Sequence, residues 1–163
     1  MQQAFFAGHF DEAVQQIHRT LEMDPTFGAG LFILGEIMEM KGQFPEAAKA
    51  YEKALIVLPT PMRYANIACV YVRLGRTAEA GVIRSRLADQ SAKGYVAAYP
   101  RAVIALAFGE TEEALGLLQQ AFDDRSIQVG GNSGSLKIDP RLDALRKDPR
   151  FEKLLAKFMG QAQ

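Results

Sequence analysis

Cysteine and histidine are the side chains most able to perform nucleophilic or metal chemistry, and this chain has few of them. Its 163 residues include one cysteine, Cys69, and two histidines, His9 and His18. A cysteine nucleophile needs a neighbouring base and a third group that orients the base, and the spacing of these residues supplies no such arrangement. Zinc sites need closely spaced cysteine and histidine ligands. We therefore interpret Cys69 as a small packing residue and expect no catalytic residue, no metal and no cofactor.

Acidic pairs and a glycine-rich segment are the remaining candidates for chemistry. Glu112–Glu113 and Asp123–Asp124 fall at predicted helix ends, where the carboxylates are solvated. The segment 130–135, with the sequence GGNSGS, lacks the closing Gly-Lys-Ser/Thr and the preceding strand of a phosphate-binding loop. The sequence therefore indicates a protein that is not an enzyme.

Composition excludes further classes of protein. The 19 basic and 19 acidic residues cancel, whereas a nucleic-acid-binding domain carries a strongly basic face. No apolar run approaches the length of about 18 residues that a membrane helix needs, and the first residues do not resemble a signal peptide. One cysteine excludes an internal disulfide and fits a reducing compartment. We therefore expect a cytoplasmic protein that binds neither nucleic acid nor membrane.

Four copies of the pattern Gly-x-x-x-Glu-Ala organise the chain. They begin at Gly8, Gly42, Gly75 and Gly109, which are 34, 33 and 34 residues apart. Each glycine is expected in the turn between two helices, where a left-handed backbone conformation is common. The apolar spacing on either side predicts helical hairpins over residues 1–25, 28–59, 61–92 and 94–125.

The second repeat carries the clearest spacing. Apolar and small residues recur at helical intervals on two predicted helices, and Pro59 follows the second helix as a stop. These residues are Leu31, Leu34, Gly35, Met38, Ala47, Tyr51 and Ala54. Gly35 and Ala47 are small where the two helices approach each other, so a bulkier residue at Ala47 would overpack the hairpin. This pattern resembles the tetratricopeptide repeat, a helical hairpin of about 34 residues. The resemblance implies an all-α solenoid of about three and a half repeats.

The other repeats depart from this pattern. The first repeat has only a short helix before Gly8, and this helix contains Phe5 and Phe6. His9 is expected in the turn that follows the helix. We interpret the chain as a fragment whose phenylalanines form an open edge; a short capping helix is the alternative. Thr77 and Thr111 are expected to be N-caps, and a helix is expected over 100–108 after an extended segment 94–99. Arg84 stands where an aromatic residue is usual, so either the helix is rotated or the side chain reaches the surface.

The C-terminal part is expected to be a flexible linker, 126–138, followed by capping helices over 139–159. Asp139-Pro140-Arg141-Leu142 is echoed by Asp148-Pro149-Arg150-Phe151, with each aspartate as N-cap and each proline as first helical residue. These helices should cover the open face of the fourth repeat. The segment resembles the end of tetratricopeptide modules in bacterial winged-helix regulators, adenylate cyclases and serine/threonine kinases. The resemblance implies a module of a larger regulatory protein.

The expected function is protein binding in the concave groove that the first helices of such repeats form. The predicted groove residues are Phe32, Glu36, Glu39, Met40, Met62, Asn66, Arg73, Tyr99 and Val103. Asn66 and Arg73 alone offer too few polar contacts for a clamp on a terminal carboxylate. An apolar or amphipathic helix is therefore the favoured ligand. The alternative is self-association through Phe5 and Phe6, giving a homodimer or filament.

Overall fold

The computed structural model of the chain describes residues 2–94, 96–124, 136 and 139–160. Side chains are described from Phe10 onward, except those of Pro140 and Met159. The regular structure in these ranges is helical and includes no strand, which confirms the all-α fold class. The chain divides into two compact units, unit 1 (Met1–Thr77) and unit 2 (Ala78–Gln163).

The described part of unit 1 contains helices α1 (Gln2–Met23), α2 (Gly28–Met40), α3 (Phe44–Val57) and α4 (Pro61–Arg73). Helix α1 is continuous, so the predicted turn at Gly8 and His9 is wrong. An isolated glycine costs a helix only about 1 kcal/mol relative to alanine, and the residues after Gly8 are compatible with a helix. Helix α1 ends at Met23, close to the predicted end of the first repeat at residue 25, and the Thr26 N–H donates to Asp24 Oδ1 at 2.9 Å.

A left-handed glycine separates α2 from α3, as predicted. Gly42 has φ of 72°, and its N–H donates to the carbonyl of Glu39 at 2.9 Å. The next N–H, of Gln43, donates to the carbonyl of Met38 at 2.8 Å, so the last carbonyls of α2 are satisfied. Gly75 and Gly109 have φ values of 75° and 79°, which confirms the predicted conformation at these two repeats as well.

The α2–α3 hairpin is closed by Gly35 and Tyr51. A Cβ atom added at Gly35 would lie 2.5 Å from Cδ1 and Cε1 of Tyr51, so only glycine lets this ring approach the backbone of α2. Tyr51 is 0% exposed, and its hydroxyl donates to Glu39 Oε2 at 3.0 Å. Ala47 is also fully buried, in agreement with the predicted need for a small residue.

Helices α3 and α4 are joined by a polar contact near the end of α4. The Tyr71 hydroxyl donates to Glu52 Oε1 at 2.9 Å, and the Arg76 guanidinium lies 4.0 Å from the centre of the Tyr71 ring. At the other end, Thr60 is the N-cap of α4, since its Oγ1 accepts from the Arg63 N–H at 3.3 Å. Pro61 is the first residue of the helix, where its missing N–H needs no partner.

The described part of unit 2 contains α5 (Thr77–Lys93), whose first residue precedes the unit boundary, α6 (Ala98–Ala107), α7 (Thr111–Asp123), a 3-10 helix (Pro140–Leu145) and α8 (Pro149–Gly160). Helix α6 begins two residues before the predicted position, because Pro100 is tolerated in the first turn, where its missing N–H needs no partner. Thr77 and Thr111 are the first helical residues rather than N-caps.

Arg84 links α5 to the beginning of α7, with its guanidinium partly solvent-exposed. Its Nη1 donates to Glu110 Oε1 at 2.7 Å and its Nη2 to Glu113 Oε2 at 2.8 Å. The guanidinium also lies 5.4 Å from the centre of the Phe108 ring. The hydrogen bond from Arg84 holds the pKa of Glu110 below its usual range. Arg84 therefore occupies the position of the usual aromatic residue by stacking on the Phe108 ring and pairing with two carboxylates.

The C-terminal helices pack on α6 and α7. One buried apolar cluster joins Ala102, Ala105, Leu115 and Leu118 to Leu136, Leu142, Leu145, Phe151, Leu154 and Phe158. Within it, the rings of Phe122 and Phe158 meet edge to face at 4.7 Å. On the surface, Arg150 makes a two-point ion pair with Glu112 at 2.8 and 2.7 Å. Residues 139–160 are thus part of the core of unit 2.

A buried carboxylate holds the start of the 3-10 helix against α6. Asp139 accepts from the Tyr99 hydroxyl at 3.1 Å and from Arg141 Nη2 at 2.7 Å. As predicted for an N-cap, it also accepts from the Arg141 N–H at 2.9 Å. Burial acts to raise the pKa of Asp139, but the hydrogen bonds and charge of Arg141 and the Tyr99 hydroxyl outweigh burial, so the pKa is lowered.

Asp139→Asn is expected to destabilise unit 2 in a pH-dependent way. A carboxyl whose pKa is lower in the folded state stabilises the fold above its unfolded pKa, about 3.9, and this contribution is lost as the pH falls through the folded value. At pH 7 the variant should lose about 1–3 kcal/mol, the value of a hydrogen-bonded charge. The difference should shrink below about pH 4. Urea unfolding of both proteins at neutral and acidic pH measures it, and an equal difference at the two pH values would contradict the role of the charge.

Candidate functional site

The single cysteine and the two histidines lie on different helices. Cys69 is buried in α4 with 7% exposure, whereas His9 lies in α1 and His18 is exposed on the same helix. Among the residues that the structure describes, no three His, Cys, Asp or Glu side chains are grouped to hold a metal ion. That the chain is not an enzyme stays a prediction.

Helix α2 has an accessible face that includes two of the predicted groove residues, Glu36 and Met40. Ala29, Ile33, Glu36 and Met40 follow one another at intervals of four, three and four residues and so form one face of the helix. Ile33 is 45% and Met40 is 63% exposed, which is high for apolar side chains of this size. This row is called the α2 face below.

The other predicted residues of α2 are partly engaged inside unit 1. Phe32 is half-buried, with its ring centre 5.6 Å from that of Tyr51, and Glu39 accepts the Tyr51 hydroxyl. These two side chains therefore support the hairpin as well as border the α2 face.

Of the three predicted groove residues on α4, the structure contradicts Asn66. Seven consecutive residues, Ala65–Tyr71, are buried, and Asn66 is only 1% exposed, so its amide is not available to a ligand. A helix buried all round in this segment has no outward face there. Met62 is half-buried and Arg73 is exposed, at the two ends of the helix.

The two predicted groove residues of unit 2 also differ from expectation. Val103 is 0% exposed and Tyr99 is half-buried, with its hydroxyl bonded to Asp139 of the C-terminal segment. Val103 is therefore closed to a ligand, and Tyr99 packs against the buried apolar cluster of unit 2. The side chains of Phe5 and Phe6 lie outside the described residues, so self-association through them stays a prediction.

Arg63 was not among the predicted site residues. Its guanidinium carbon lies 5.1 Å from the centre of the Phe32 ring, and its Nη1 donates to the carbonyl of Leu58 at 3.0 Å. One signal was present in the sequence: α4 contains two arginines and no acidic residue, so neither arginine can pair within its own helix. Arg63 places a positive charge beside Phe32 and the α2 face.

Three comparisons with known proteins bear on this fold. Residues 2–60 match the tetratricopeptide repeat family. The crystal structure of MamA superposes with a TM-score of 0.51 and 17% identity, covering 98% of this chain and 92% of that one, a likeness of fold. An alignment over 94 residues, which covers 50% of this chain, is 31% identical to ALBINO3-like protein 3, mitochondrial, from Arabidopsis thaliana. The match covers 17% of that relative's length.

The helical hairpins and the comparisons agree. None of the described helices has both the length and the hydropathy that a membrane-spanning segment requires. The family match covers the α1–α3 region, and the predicted glycine turns recur at Gly42, Gly75 and Gly109. The described part of the chain is all-α, and its residues 2–60 match the tetratricopeptide repeat family.

Proposed function

We propose that the chain is a protein-binding module in which unit 1 binds an apolar or amphipathic helix along the α2 face. The module would act in the cytoplasm as part of a larger regulatory protein or complex. The observation that carries this proposal is the exposure of Ile33 and Met40 on one face of α2. Tetratricopeptide repeats present extended surfaces for such ligands.

The spacing of the α2 face suits a helical partner. Its members repeat every three or four residues, the interval at which an amphipathic helix presents its own apolar anchors. Ala29 is small and exposed, so a ligand side chain can approach the start of α2 closely. Burying an aliphatic side chain fully contributes about 1.5–3 kcal/mol, and the costs of association offset part of this gain. Binding in the micromolar range, near −8 kcal/mol, is therefore expected.

Charges on the α2 face test the proposal. The variant with Ile33→Asp and Met40→Asp should lose its partners in a quantitative pull-down from the source cells, because two carboxylates would be desolvated against an apolar ligand. Val82→Asp is the matched control, since Val82 is an exposed aliphatic residue on α5, at 69% exposure. Partners that the control retains and the double variant loses support the α2 face.

Two outcomes would count against the proposal. Equal capture by the double variant and the control would remove the α2 face as the binding surface. A mass that rises with concentration in sedimentation, and that Phe5→Asp with Phe6→Asp returns to that of a monomer, would favour the self-association alternative.

A further inference from the structure

We infer that the ligand of unit 1 carries an internal aspartate or glutamate, flanked by aliphatic residues, and that this carboxylate pairs with Arg63. The inference rests on the proposed function and adds the chemistry of the ligand to it.

Arg63 is held in place at the beginning of α4. Its guanidinium stacks at 5.1 Å on Phe32 and donates through Nη1 to the Leu58 carbonyl at 3.0 Å. Both contacts limit the rotamers of a long side chain, so less conformational entropy is lost when a ligand binds. Nη2 and Nε make none of the described hydrogen bonds and can donate to a carboxylate.

The charge of Arg63 has no carboxylate partner among the described residues. Other arginines of the described chain have one: Arg76 pairs with Glu52, Arg84 with Glu110, and Arg150 with Glu112. Arg63 is half-buried, and its contacts are an aromatic ring and a neutral carbonyl. A partly desolvated cation in this position is complemented by an anionic group from a ligand.

Apolar groups from two elements lie near this cation. Val57 and Leu58, at the end of α3, are 44% and 51% exposed. A Cβ atom added at Gly28 would lie 3.1 Å from Val57 Cγ1 and 3.8 Å from Arg63 Nη1. The end of α3 and the guanidinium therefore both lie close to Gly28. Phe32 contributes from α2. To contact both elements, a peptide ligand needs apolar residues before and after its acidic residue. This requirement favours the side-chain carboxylate of an internal Asp or Glu over the carboxylate of a chain terminus.

A random peptide library provides the probe. Peptides displayed on phage would be selected on the immobilised full chain, and the tightest binder would be synthesised with an amidated C-terminus. Its dissociation constant would be measured by fluorescence polarisation on the wild type, on Arg63→Gln and on Arg19→Gln, a control for an exposed arginine of α1. Circular dichroism would verify that each variant is folded.

We expect the selected peptides to be enriched in Asp or Glu beside aliphatic residues. Replacing that acid by its amide, or Arg63 by Gln, should each weaken binding by about tenfold or more, the effect of one charge-assisted hydrogen bond. On Arg63→Gln the acid-to-amide change should have little further effect, since the two groups act as a pair. Arg19→Gln should bind like the wild type.

Other results would overturn the inference. Selected peptides without acidic enrichment, an undiminished acid-to-amide effect on Arg63→Gln, or binding that requires a free C-terminal carboxylate would each do so. Peptides that depend on Ile33 and Met40 but not on Arg63 would remove this inference and leave the proposed function standing. If no peptide is retained above a control surface, both fail.

Discussion

Gly35→Ala is expected to lower the free energy of unfolding by about 1–3 kcal/mol, the usual cost of overpacking. The added methyl group would lie 2.5 Å from two carbons of the Tyr51 ring. That ring is fully buried, and its hydroxyl is bonded to Glu39, so it cannot move aside without losing contacts elsewhere. Urea unfolding followed by circular dichroism measures the change.

A second helical glycine provides the control. Gly116 lies on an exposed part of α7, and a Cβ atom added there has no neighbour within 4 Å. Since alanine is favoured over glycine in a helix by about 1 kcal/mol, Gly116→Ala should be neutral or stabilising. A stabilising effect of both substitutions would contradict the close approach of α2 and α3 at Gly35.

Phe158→Ala is expected to have the largest effect of the single substitutions considered, a loss of about 3–5 kcal/mol from unit 2. Phe158 is buried in the cluster shared by α6, α7 and α8, and its ring meets that of Phe122 edge to face. Truncation would leave a cavity in this cluster and remove an aromatic pair worth about 0.5–1.5 kcal/mol beyond its area. Thermal unfolding and hydrogen exchange of α7 amides would measure the loss.

The control for this prediction lies on the same helix. Lys153 is exposed on α8, so Lys153→Ala should change stability by less than about 0.5 kcal/mol. If Phe158→Ala left the exchange of α7 amides unchanged, the C-terminal helix would not contribute to the core of unit 2.

The hairpin turns were predictable because a local requirement dictates them. At Gly42, Gly75 and Gly109 the chain must reverse with a positive φ, which glycine adopts without strain. The same pattern failed at Gly8 because Glu and Ala are also good helix formers, and the few residues before it cannot form a stable helix alone. Whether a glycine becomes a turn therefore depended on a neighbouring helix, which the local pattern does not show.

The site was harder to predict than the fold. Helical periodicity shows which residues share a face, but it does not show how many faces become covered, so Asn66 and Val103 were expected outside and are buried. Ile33 and Met40 share a face of α2 and are both exposed, so there the periodicity was a sufficient guide. Arg63 was missed because its contact with Phe32 joins residues on different repeats.

The burial of the single cysteine provides a built-in reporter for unit 1. Cys69 lies in α4 and is buried. An alkylating reagent reacts with the thiolate form of a cysteine, and only when the side chain is accessible to the reagent. The labelling rate under native conditions, divided by the rate in denaturant, therefore gives the equilibrium constant for the opening that exposes Cys69. The free energy of that opening follows from this constant. No engineered probe is needed, since the chain contains no second thiol that would contribute to the signal. A ligand that binds the folded form of unit 1 would slow this labelling in proportion to its occupancy, so the labelling rate of Cys69 also measures ligand binding.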